Sequence, residues 1–151
     1  MVYTVLKFVH IASIAVWFGG LVTMFVLNRL FIRAGDSATM QGIGRQGAAL
    51  SKRLFMPAML VTLITGIGLV QVGDIGFGPF WIVWGIIGLI GSTVLGGVLT
   101  GAASRKLAAR VARGEIDPAG IAAAQRRILM FVVLNMLLLL SVIWAMVAKP
   151  S

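Results

Sequence analysis

The chain has no cysteine, one histidine, one tyrosine and only four acidic residues. The lack of cysteine excludes disulfides, thiolate metal sites, iron–sulfur clusters and a cysteine nucleophile. The four acids, Asp36, Asp74, Glu115 and Asp117, all lie outside the long apolar runs. No carboxylate pair or triad is therefore at hand for acid–base or nucleophilic catalysis. A proton-relay transporter, which wants carboxylates inside its spans, is disfavoured for the same reason. Charge as a whole is scarce: 11% of residues are charged, 60% are hydrophobic and mean hydropathy is +1.04. A soluble domain is nearer a quarter charged and half apolar.

What the chain does have is four long apolar runs, about 4–31, 55–72, 80–100 and 128–147. Each reaches or approaches the roughly 20 residues that a ~30 Å hydrocarbon core requires. The expectation is an all-α integral membrane four-helix bundle, a single domain over 1–151, in the plasma (inner) membrane of a bacterium. Eleven of the thirteen Lys and Arg fall in two short segments, five from Arg29 to Arg53 and six from Arg105 to Arg127. Cytoplasmic loops collect such residues, so both segments are expected inside and both termini outside. The net charge of +9 invites a nucleic-acid reading. No aromatics are interleaved with the charges to stack bases, so lipid bilayer rather than nucleic acid is the expected partner. Lys7 is outnumbered by Arg29 and Arg33 behind the first run, and no small-x-small site follows it. The first helix is therefore expected to be retained rather than cleaved.

Local signals punctuate the loops. Gly35-Asp36-Ser37 reads as a turn before an interfacial helix, Gly114 as a break, and Asp117-Pro118 as an N-cap followed by a first helical proline. The last helix is then expected to run about 30 residues and to project beyond the membrane. Gly88, Ser92 and Gly96 recur every fourth residue in the third span, beside a separate Gly97-x-x-x-Gly101. Small ridges let helices approach closely in lipid. They serve packing inside the bundle or, as the other reading, a homo-oligomer or a larger membrane complex. Asn135 reads as one interhelical hydrogen bond.

The lone histidine, His10, falls inside the first run, about five residues or ~7 Å deep at 1.5 Å per residue. An ionisable group inside a span marks a functional site by default. The same depth in the other spans holds Thr65, Gly66 and Gly68, then Trp84, Gly85 and Gly88, then Ser141 and Trp144. Glycines leave space and indoles wall it, so a flat macrocycle with His10 as axial ligand is one reading. The other is a packing histidine that donates to a backbone carbonyl or to Ser141. Copper is a further alternative, since Met and His suit Cu(I). Of the methionines considered, Met24, Met56, Met59 and Met130 lie at the wrong depth, and only Met146 shares the outer leaflet with His10.

His10-x6-Trp17-Phe18-x-Gly20-Leu21, preceded by Lys7, resembles the opening of HemJ-type protoporphyrinogen oxidases and of copper-resistance D membrane domains. Lys52-Arg53-Leu54 before Pro57-Ala58, Thr65-Gly66-x-x-Leu69, Trp81, Asn135 and Lys149-Pro150 continue the likeness over nearly the whole chain. It is nearest to the small four-span bacterial members of that superfamily. The resemblance implies a b-type haem or porphyrin on the first-span histidine, here His10, in a protein that is an oxidoreductase if it is an enzyme. The HemJ pattern has a lysine soon after the third-span tryptophan, which Trp81-Ile-Val-Trp84-Gly85 lacks; this points away from porphyrinogen oxidation. The residues expected at the cofactor are His10, as metal ligand, with Trp17, Gly66, Gly85, Gly88, Ser141 and Trp144.

Overall fold

The computed structural model describes residues 1–34, 49, 51–115 and 117–150. The Gly35-Asp36-Ser37 turn and the interfacial helix expected after it lie outside the described residues. The described residues are almost entirely helical, with no strand among them. Four helical stretches are long and apolar enough to cross a membrane: Val2–Leu30, Lys52–Val72, Phe80–Ala112 and Ala119–Ala148.

The chain divides into two compact units, Met1–Pro79 and Phe80–Ser151. In the first, α1 (Val2–Ala34) packs antiparallel on α2 (Met56–Val72), which is entered through a π-helical turn, Ser51–Phe55. The pairing is close because small residues sit at the contact. The Cβ that Gly20 lacks would fall on the Phe55 ring, and that of Gly68 would lie 3.3 Å from Leu6. Pro57 stands at the second position of α2, directly after the π-helical turn. The turn after α2 bends through Asp74 and Gly76, at φ of 50° and 75°, values that glycine adopts freely and aspartate tolerates.

The second unit is also a helical hairpin. One rod comprises α3 (Phe80–Ser92), a π-helical stretch Thr93–Thr100 and α4 (Gly101–Ala112). It packs against α5 (Pro118–Ala148). The Thr100 hydroxyl donates to the Leu95 carbonyl five residues back, at 2.7 Å, which fits the wider π turn. The rod stops where Gly114 takes φ of 65°. Asp117 then caps α5, its Oδ1 accepting from the Gly120 amide at 2.9 Å with Pro118 in the first turn. Asp117→Ala is expected to cost about 1 kcal/mol. Amide exchange should show it as faster exchange at Gly120 than at residues near the middle of α5.

Both units are turned inside out relative to a soluble domain. Phe8, Ile64 and Val147 are 72%, 67% and 80% exposed, while Ser13, Thr62, Thr65, Ser92 and Asn135 are buried. Water would not tolerate that surface, whereas lipid is as apolar as those side chains, so the interior holds small and polar residues beside Trp17, Val70, Ile82 and Leu139. Most of the hydroxyls are satisfied locally, while the Ser92 Oγ has no hydrogen-bond partner among the described residues. Ser13, Thr62, Thr65 and Ser141 each donate to a carbonyl three or four residues back.

Candidate cofactor site

The face of α2 toward α1 carries Ala58, Thr62, Thr65 and Gly66 at helical spacing, and α1 answers with His10, Ser13 and Trp17. His10 Nδ1 lies 3.0 Å from the Thr62 carbonyl oxygen and 3.0 Å from Thr65 Oγ1. A carbonyl only accepts, so Nδ1 is the nitrogen that carries the proton. Thr65 fits that assignment: its hydroxyl proton goes to the Val61 carbonyl at 2.6 Å, leaving Oγ1 to accept from the ring. In the neutral imidazole the lone pair is then on Nε2, which has no hydrogen-bond partner among the described residues.

Gly66 seats the ring. A Cβ there would meet His10 Cε1 at 3.2 Å and Nδ1 at 3.6 Å, so the imidazole lies against bare backbone. One turn along α1, Ser13 Oγ is 2.8 Å from the Val9 carbonyl and 3.0 Å from that of His10, and lies 3.1 Å from Thr62 Oγ1. Thr62 thus touches the site twice: its carbonyl holds His10 and its hydroxyl lies against Ser13. Trp17 lies a further turn along and is buried.

The other expected residues belong to the second unit. Trp84 Nε1–H donates to Ser141 Oγ at 3.1 Å, and Ser141 passes its own proton to the Leu138 carbonyl at 2.7 Å. Ser141 is thus engaged by tryptophan; between the two partners considered for His10, the ring takes a backbone carbonyl. Trp84 also stacks on Phe80, ring centroids 6.1 Å apart. The space at Gly85 is taken by the Met146 methyl and that at Gly88 by Val142. Trp144 is 64% exposed. Gly88 and Gly96 face α5, as packing within the chain requires. Asn135 is buried against Gly96, and its Oδ1 has no hydrogen-bond partner among the described residues.

A family model described as "Predicted integral membrane protein (DUF2269)" matches residues 4–150. The chain belongs to that family. It is an integral membrane protein, and the family match takes in all four candidate spans almost end to end, together with His10 and its partners. No curated protein matches the chain, and no solved structure does.

Sequence reasoning placed Thr65 and Gly66 at the depth of His10 but missed Thr62 and Ser13. The signal was present. Thr62 is three residues before Thr65 and Ser13 three after His10, so each shares its neighbour's helix face.

Proposed function

We propose that this membrane protein binds a b-type haem or a related porphyrin through Nε2 of His10. One observation carries the reading: the Nδ1–H bond to the Thr62 carbonyl. Histidines that ligate metals almost always donate their other ring N–H to a carbonyl or carboxylate, which sets the tautomer and raises ligand basicity. The Thr62 carbonyl, the Thr65 hydroxyl and the bare backbone of Gly66 provide that support here, on two packed helices rather than a loop. The likeness of the first span to HemJ-type proteins supports the same assignment.

The donor set fits axial ligation of a haem better than a closed metal site. Among the described residues no three of His, Cys, Asp and Glu come together, whereas an axial site needs one imidazole. Bound haem would supply one-electron chemistry at its iron. The chain's part is to hold the ring in one tautomer and keep the site dry within lipid. Among the described residues no carboxylate stands beside His10, so electron transfer rather than proton-coupled bond chemistry is the role that follows. The basic inner segments support an orientation with both termini outside the plasma membrane of a bacterium.

The visible spectrum and pyridine haemochrome of detergent-purified protein from haem-replete cells test this. Wild type is expected to show a Soret band near one haem per chain, and His10→Ala to lose it while keeping its helical circular dichroism. A colourless wild type would sink the proposal. The alternative role, a subunit of a larger membrane complex, draws on Gly97, where an added Cβ meets nothing within 4 Å. Partners retained on mild extraction would then be the finding.

A further inference from the structure

The first unit carries a second feature, independent of the histidine. An open groove of about 340 Å³ runs between α1 and the start of α2. Phe8, Ala12 and Val16 line one wall, and Leu54, Pro57 and Val61 the other. The one hydroxyl in the lining, Ser13, is already engaged with helix carbonyls and Thr62. At one end stands Arg53.

Depth gives the groove a polarity. Twenty residues separate Arg53 from Asp74, and at 1.5 Å each they span the ~30 Å of a hydrocarbon core. Arg53 therefore lies at headgroup level. The groove runs from there toward Val61, about 12 Å into the membrane at the helical rise. Gly20 against Phe55 fixes the antiparallel register, so Val16 lies toward the Arg53 end and Phe8 toward the interior.

Among the described residues Arg53 has no carboxylate partner. The ion pair among the described residues is Arg113–Glu115, in the other unit. In the first unit the one described carboxylate is Asp74, at the far end of α2. A guanidinium is a fork that matches two phosphate oxygens. Apolar contact does not by itself select one lipid over another, since all tails are alike to the groove. The cation does.

We propose that this groove is a site for an anionic phospholipid, its phosphate on Arg53 and one acyl chain along the wall of Ala12, Val16 and Pro57. Selection comes from charge at the headgroup, and residence from the fit of the chain. One basic contact at a membrane surface provides about a fivefold preference.

Native mass spectrometry of the full chain, with phosphatidylglycerol and phosphatidylcholine in competition, reads this directly. Wild type is expected to retain phosphatidylglycerol about fivefold over phosphatidylcholine. Arg53→Gln should bring the ratio near one, and Arg53→Lys, which keeps the charge, should retain a preference. Arg110→Gln, a basic residue of the other unit, should leave the ratio unchanged. Ala12→Phe, which fills the groove from the exposed side of α1, should reduce adducts of both lipids. A wild type without preference would overturn the proposal, as would an Arg53→Gln variant that keeps it. A dimer abolished by Ala12→Phe with lipid adducts unchanged would assign the groove to a second copy of the chain instead.

Discussion

Gly66→Val is expected to abolish haem retention as completely as His10→Ala, although the histidine is still there. A bare Cβ at position 66 would already stand 3.2 Å from His10 Cε1, and the two further methyl groups of valine have no free direction on that side. The ring must swing away from α2 and give up the Thr62 carbonyl. Losing that hydrogen bond costs about 1 kcal/mol, and overpacking adds about 1–3 kcal/mol. Gly66→Ala, which asks the ring to yield only a few tenths of an ångström, should keep most of the cofactor. His10 is the only histidine, so nitrogen-detected spectra of labelled protein contain a single imidazole. Cofactor-free wild type should show Nδ1 protonated and Nε2 bare, and Gly66→Val should lose that fixed pattern. If Gly66→Val kept both haem and tautomer, the helix contact would not be what positions the ligand.

The second large effect concerns the other hairpin. Gly88→Ala should destabilise it by about 1–3 kcal/mol, because the new methyl is built into the Val142 side chain, which is held on a stiff β-branched stem. Val142→Ala in the same molecule should restore most of the loss, which identifies the contact rather than the glycine as the cause. Gly97→Ala is the comparison. Its Cβ meets nothing within 4 Å, and alanine favours helix over glycine by roughly 0.5–1 kcal/mol, so that variant should be neutral or slightly more stable. Unfolding in mixed micelles measures all three. A destabilised Gly97→Ala would mean that this face is covered in the native assembly, which would favour the complex-subunit reading.

Elements governed by their own few residues were legible in advance. Asp117-Pro118 announces the start of α5, Gly114 the break before it, and the apolar runs the four spanning helices; each depends on neighbours in sequence. The extra turn of α1 to Ala34 and the π-helical stretch Thr93–Thr100 were not legible. Glycine there relaxes the helix without saying whether a partner will exploit it. The hydrogen bond of His10 was half legible. A backbone carbonyl was one of two partners considered, but nothing in the pattern selected Thr62, because in lipid an apolar face does not specify register as it does in water.

The glycines show where that boundary lies. Composition and hydropathy alone determine that this chain lives in a membrane, that it is helical, and that its single intramembrane imidazole has no carboxylate beside it in sequence. Those properties are sums over residues or follow from the helical repeat. A missing Cβ, by contrast, is a vacancy whose use depends on what stands opposite. At Gly66 it receives the imidazole itself, at Gly85 and Gly88 the tips of Met146 and Val142, and at Gly97 nothing. Only the tertiary structure decides among these outcomes, because close packing is a property of two surfaces and the sequence lists them one at a time.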